Sequence, residues 1–272
     1  MEKLLKTPKA SQFLIRHSKL NKKQALYESL FSWHHTNNTN HFFSFKTMKT
    51  LDSFKDKNEK SESVTLKEVN SSAKVEKNLN IVKATNLEDL RNELDHFEGC
   101  ALKNTSKSLV FSDGNSKAKV MLLGEAPGEE EDKTGKPFKG QAGILLDKML
   151  NAIGQNRENT YISNLIYWRP PGNRNPTDEE IYACLPFVLK HIEIIKPKIL
   201  ILAGAVAAKA ILKEKQGIIQ TRGKWHNFVI NNSITIRTIP IYHPAFLLRQ
   251  PSRKRDAWED LKKIKKEIDL IT

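Results

Sequence analysis

At 272 residues with 39% apolar content, the chain can hold one large domain or two small ones around a proper core. No apolar run approaches the roughly 18 residues of a membrane span. The N-terminus, MEKLLKTPKASQFLIRHSKL, has neither the apolar h-region nor the cleavage site of a secretory signal, so a cytoplasmic protein is expected and a membrane partner is not. A formal net charge of +14 and a pI near 9.6 draw the chain to polyanions, of which nucleic acid is the commonest, although a Lys-rich surface also serves solubility alone. Two cysteines in a reducing compartment predict free thiols, and two thiols alone neither ligate a cluster nor complete a zinc site.

Residues 1–84 differ from the rest. They are rich in Lys, Ser and Asn, carry about +8 of the charge by direct count, and include the polar stretches HHTNNTNH and DKNEKSESVTLKEVNSSAKVEKN. This reads as a basic N-terminal extension of low order, with room for an amphipathic helix at 24–33 and a tether over 52–83. Residues 85–272 are the expected domain. It opens on TNLE, a capping box with Thr85 as N-cap and Glu88 reaching back, before a helix with Leu87, Leu90, Leu94 and Phe97 on one face.

From there strands and helices alternate. The apolar run VMLLG (120–124) enters a Gly-x-x-Pro-Gly loop and a helix at 141–153. TYISNLIY (160–167) is followed by a stiff loop and a helix capped by Thr177 with Glu180. KILILAG (198–204) precedes the Ala-rich AVAAKAILKE, and TIRTIPIY (235–242) precedes a loop and a last helix from about 252. This alternation predicts an α/β fold: one three-layer αβα domain with a central, mainly parallel, four-stranded sheet. Right-handed crossovers set the C-terminal ends of parallel strands along one edge, which brings Glu125, Asn164 and His243 together.

The loops at that edge carry the chemistry. GEAPGEEED lacks the Gly-Lys-Ser/Thr of a Walker loop, and Glu125, Glu129, Glu130, Glu131 and Asp132 repel a triphosphate. An acidic metal site there lacks the alternating ligands of a hard cation, and a solvated acidic turn is the plain alternative. Phe138, exposed-looking between Pro137 and Lys139, is either a core anchor or a stacking platform. WRPPGNRNPTDEE offers Arg169 and Arg174 to phosphates, unless Arg174 pairs with Asp178. HPAFLLRQPSRKRDAW sets His243 beside an apolar wedge, Phe246, Leu247 and Leu248, and the cations Arg249, Arg253, Lys254 and Arg255. That combination suits pushing into a base stack while gripping the backbone.

Taken in order, GEAPGEEED, GKPFKGQAG, TYISNLIYWRPPGNRNPT and YHPAFLLR resemble the motifs of the uracil-DNA glycosylase superfamily, specifically its family 4, over about residues 87–268. The resemblance implies hydrolysis of the N-glycosidic bond of deoxyuridine in double- or single-stranded DNA, leaving an abasic site for downstream base excision repair enzymes. It implies that Phe138 stacks on the flipped base and that Asn164 pairs with its N3–H and O4 edge. It also implies that His243 donates toward O2 as the anion forms, and that Leu247 or Leu248 fills the vacated stack while Arg169, Arg174, Arg249 and Lys254 hold phosphates. Ala126 stands in the uracil site where family 1 carries an Asp, and the resemblance implies Glu125 as the residue for water or the sugar cation and Glu131 as a block to a methyl at C5.

One departure stands out. The family pattern ligates an iron-sulfur cluster with four cysteines, and here Lys103 and Trp168 replace two of them, leaving Cys100 and Cys184. A [4Fe–4S] cluster normally takes four thiolates, so no cofactor is expected. A monomer is expected as well. The competing readings are a glycosylase for hypoxanthine or xanthine, a damage-recognising DNA-binding protein without turnover, and a nucleotide-binding regulator, which the acidic loop disfavours.

Overall fold

The computed structural model describes residues 82–213, 215–231 and 233–271. The N-terminal extension, with the helix expected at 24–33 and most of the tether, lies outside them. Val82 and Ala84 are already buried against the core, just ahead of the helix that was expected to begin the ordered domain. That helix, α1 (Leu87–His96), is capped by Asn86 and not by Thr85: the Asn86 side chain accepts from the Asp89 N–H at 2.9 Å. Asn is at least as good an N-cap as Thr, and Thr85 instead donates to the Asp89 carboxylate.

The described sheet has six strands in the order β1-β3-β2-β4-β6-β5. They are β1 (Asp113–Gly114), β2 (Val120–Gly124), β3 (Thr160–Asn164), β4 (Ile199–Ala203), β5 (His226–Ile230) and β6 (Ile234–Ile241). The four expected strands are the parallel centre, β3-β2-β4-β6. Antiparallel edges, β1 on β3 and β5 on β6, extend it to six. Sequence pattern missed both edges: β1 is only two residues long, and β5 pairs with β6 in a hairpin whose alternation is half exposed.

The central strands are buried on both faces, as parallel strands between helices must be, and alternate residues serve opposite layers. Val120, Leu122, Ile199 and Ile201 pack with Leu146 and Leu150 of α3 (Gln141–Asn151) and with Leu261, Ile264 and Ile268 of α8 (Lys254–Ile271). Met121, Leu123, Leu200 and Leu202 pack with α1, with Val188 and Ile192 of α4 (Asp178–Ile195), and with Ala207 and Ile211 of α5 (Ala205–Leu212). The result is the predicted three-layer stack. Pro240 lies within β6 without breaking a ladder, because its carbonyl takes the Gly223 N–H on the side where β5 has already ended; a strand tolerates proline only where no ladder donor is needed.

Three further helices are short: α2 (Glu129–Thr134), α6 (Ile218–Thr221) and α7 (Pro244–Arg249). The first corrects an expectation. The acidic run GEEEDKT is not a solvated turn but a helical one, with four acids in its first turn, where the helix dipole favours them. Gly135 closes it in the left-handed region at φ +67°, the usual use of a glycine after a helix.

Candidate active site at the strand ends

Register sets the floor of the site. Gly124 and Asn164 are the paired last residues of β2 and β3, and the ladder runs on into the loops, with Leu165 N–H donating to the Gly124 carbonyl and Ile166 N–H to that of Glu125. Gly124 is required by what lies above it. A Cβ there would stand 2.3 Å from Asn164 Oδ1 and 2.6 Å from the edge of the Phe138 ring, so only glycine lets ring and amide meet over the strand end. Asn164 is 2% exposed, and its side chain makes no hydrogen bond with another described residue.

Phe138 is not exposed, contrary to its sequence appearance; it is 5% exposed, and its ring stacks on that of His243 with centroids 5.5 Å apart and planes 27° apart. Its backbone sits at φ +55°, a left-handed conformation that costs a bulky residue about 1–3 kcal/mol and persists where surroundings impose it.

His243 follows β6 and is the N-cap of α7: its Nδ1 accepts the Ala245 N–H at 3.2 Å. A ring nitrogen that accepts carries no proton, so the proton of the neutral ring sits on Nε2. Desolvation, with the Arg249 charge adding to it, holds this imidazole down to about 4, and the ring is neutral at pH 7. Gly204, just after β4, has φ +103°, a conformation that a side chain strains, and a Cβ there would also crowd the His243 Cβ at 3.1 Å. Gly124 and Gly204 were not singled out from sequence, although both end apolar strand runs, which was the available signal.

Glu125, half-buried, completes the acidic side. Burial pushes its carboxyl above the ordinary value and Arg249 draws it back, so one guanidinium acts on both Glu125 and His243. Ala126 packs against the core beside it. Glu131 also braces the loops: Oε1 accepts the Lys139 and Gly140 N–H groups at 2.7 and 2.8 Å, and Oε2 accepts that of Gly128 at 3.0 Å. It ties the acidic loop to the Phe138 loop. Asp132 does the same for the Lys107 and Ser108 N–H groups.

The outer residues are sorted by exposure. Leu247 is turned inward, 1% exposed, and Phe246 tilts against Tyr242 at 4.9 Å. Of the expected wedge, Leu248 is the most exposed, at 42%. Arg249 and Lys254 are exposed. Arg169 donates to Asn173 Oδ1 at 2.8 Å and lies 3.8 Å from the Glu129 carboxylate. Arg174 forks Glu180 and not Asp178, at 2.6 and 2.9 Å. Glu180 also closes the Thr177 capping box, so its carboxylate points back over the loop where Arg174 lies.

Three of the four places of the cluster pattern, Cys100, Trp168 and Cys184, pack in the core layer that also holds α1 and α4. Cys100 and Cys184 are both buried, and the hydrogen bond to Cys100 together with burial pushes the Cys184 thiol well up. Lys103 Nζ donates to the carbonyls of Asp95 and Phe97 at the end of α1, and Trp168 is 2% exposed, stacked on Phe97 and edge-on to Tyr167. An ammonium bound to carbonyls and a buried indole are not cluster ligands, so these residues do not fit a four-thiolate group. Among the described residues no group of three or more His, Cys, Asp or Glu is placed to hold a metal ion.

At one edge of this αβα sheet the strand ends gather the Asn164 amide, the Phe138 ring, a neutral His243 and a desolvated Glu125, the edge at which open α/β sheets bind ligands. Comparison agrees: residues 111–262 match the uracil DNA glycosylase superfamily, and the chain belongs to that family. It is 39% identical over 188 residues to a type-4 uracil-DNA glycosylase of Saccharolobus solfataricus, covering 67% of this chain and 87% of that protein. With a type-4 uracil-DNA glycosylase of Archaeoglobus fulgidus it shares 38% over 182 residues, 65% of this chain and 91% of the other. With one of Thermotoga maritima it shares 40% over 172 residues, 62% and 88% respectively.

Proposed function

We propose that this chain excises uracil from DNA by hydrolysing its N-glycosidic bond, releasing free uracil and leaving an abasic site for downstream repair enzymes. The observation that carries this reading is Asn164, held at the end of β3 beside Gly124 and the Phe138 loop with its amide bonded to no other described residue. Its carbonyl accepts from uracil N3–H and its amide donates to O4; cytosine presents the opposite pattern, so binding cytosine sets like against like. The nucleotide must leave the stack to reach it. Phe138 supplies the aromatic face.

His243 acts as an electrostatic donor. Its neutral ring, with the proton on Nε2, offers an N–H toward O2 as negative charge develops on the departing base, and one such donor contributes roughly 3–4 kcal/mol to the transition state. Glu125 places water or stabilises the sugar as it becomes cationic, which an acidic strand end favours and a phosphate would not. Leu248 fills the gap left in the stack; Arg249 and Lys254 hold phosphates. Arg169 and Arg174 join them by exchanging Asn173 and Glu180 for phosphate oxygens. Glu131 acts on the base only through the loops that it braces.

The reaction takes no cofactor on this reading, and the positions of Lys103 and Trp168 support a chain without a cluster. Its substrate places it with the genome in the cytoplasm, acting as a monomer. The test is incubation with a uracil-containing oligonucleotide followed by heating in alkali. Strand scission at the uracil is expected. Binding without scission would favour a damage-recognising protein, and scission at hypoxanthine but not at uracil would favour the wider deaminated-base reading.

A further inference from the structure

Arg157 lies in the turn between α3 and β3, outside every motif that pointed to the pocket, yet its guanidinium is directed at the Phe138 loop. Nη1 donates to the Pro137 carbonyl at 3.1 Å and to Asp113 Oδ2 at 2.7 Å, Nη2 donates to the Phe138 carbonyl, and Nε donates to Asp147 Oδ1 at 2.9 Å. Two carboxylates, from β1 and α3, thus fix the plane of the group, and its fork ends on two consecutive carbonyls. The side chain is 19% exposed.

The second of those carbonyls belongs to the residue at φ +55°. From the other side it presses on the backbone of Gly143, where a Cβ would lie 1.8 Å from the Phe138 oxygen. The Phe138 peptide is therefore gripped by hydrogen bonds on one side and by helix α3 on the other. A left-handed phenylalanine needs such a grip, because nothing in its own sequence context favours that conformation. Released, the residue relaxes to an ordinary φ, and its ring swings off Gly124, Asn164 and His243.

We propose that Arg157 is a positioning residue for Phe138: its double donation to the Pro137 and Phe138 carbonyls holds the ring at the angle at which a flipped base stacks. This rests on the uracil-excision reading given above. Lysine does not replace it. An ammonium keeps the charge facing Asp113 and Asp147 but lacks the planar fork that reaches two carbonyls while both carboxylates are bound.

The experiment is single-turnover release of uracil from a single-stranded oligonucleotide by the full chain, comparing wild type, Arg157→Lys, Phe138→Ala and the double variant, with melting curves of each. Arg157→Lys is expected to slow excision roughly tenfold or more, as small displacements of positioned groups do. The double variant is expected to be no slower than Phe138→Ala alone, since a residue that acts through Phe138 has nothing to act on once it is gone. Asp147→Asn, at the half-exposed partner of Nε, gives a milder test that spares folding: a few-fold slowing, again absent in the Phe138→Ala background. Losses that multiply in the double variants, or wild-type rates in both single variants, overturn the proposal. An inert wild-type chain would instead overturn the excision reading, and this proposal with it.

Discussion

Asn164 and His243 act on the base, and their removal is expected to separate chemistry from affinity. His243→Ala deletes a donor that strengthens as the anion forms, so the excision rate should fall about 10²–10³-fold while affinity for undamaged DNA stays unchanged. Asn164→Ala should reduce excision and also narrow the preference for uracil over cytosine in a competition assay. Arg249→Ala should do the reverse at the level of binding: weaker affinity for any sequence, and a log–log salt slope shallower by about one. Equal loss of DNA affinity in all three variants would sink this division of roles. Arg249 also bears on the pocket itself, because its charge depresses His243 and offsets the desolvation of Glu125; some loss of rate in Arg249→Ala is therefore expected beyond the loss of binding.

At the scale of elements, the short helices matter more than their length suggests. α7 presents His243 through its N-cap and turns Leu247 into the core, which fixes the outward direction of Leu248. Leu248→Ala should slow excision from duplex DNA more than from single strands, since only the duplex has a stack to refill; equal slowing on both would remove its role as a wedge. Trp168 ties α1 to α4 by packing: it stacks on Phe97, which in turn lies 4.8 Å from Phe187. Trp168→Ala should lower stability by about 3–5 kcal/mol, measured by denaturant unfolding, as expected for emptying a buried aromatic site. Purified wild-type protein should show no absorbance near 400 nm, and a band there would contradict the cluster-free reading.

For the whole molecule, two desolvated histidines set the acid limit. His191, packed between Phe111 and the tyrosines Tyr161 and Tyr167, is held down to about 3 by desolvation, and His243 to about 4. Their folded values lie below the unfolded value near 6.5. The unfolded chain therefore binds the extra protons, and the stability these groups contribute is full above pH 6.5 and lost as pH falls toward 4 and 3. Each loses about 1.4 kcal/mol per pH unit within its window. Asp260 opposes them, because desolvation raises it to about 6 despite Arg222, so its contribution declines as pH rises toward 6. Glu125, also raised by burial, acts in the same direction as Asp260, but the two histidines lose stability across the whole range from pH 6.5 to 4.5 while Asp260 gains only below about 6, so the melting temperature should fall between pH 6.5 and 4.5. A flat profile across that range would contradict the burial of the two rings.

The sequence by itself determined the three-layer class, the four parallel strands and the edge at which the site lies, because continuous apolar runs buried on both faces and right-handed crossovers leave little choice. It also determined the Thr177 cap and the residue types at the strand ends. Only the tertiary structure decided what is set by contacts between distant residues. Whether Phe138 is exposed depends on Gly124 and His243, the partners of Glu131 lie in another loop, and Arg174 reaches past its neighbour Asp178 to Glu180. Which of two adjacent leucines faces solvent is fixed by the helix phase that begins at His243. Arg157 was illegible for the same reason: its three neighbours in function, Asp113, Phe138 and Asp147, come from separate stretches of chain, and only the fold brings them within hydrogen-bond distance.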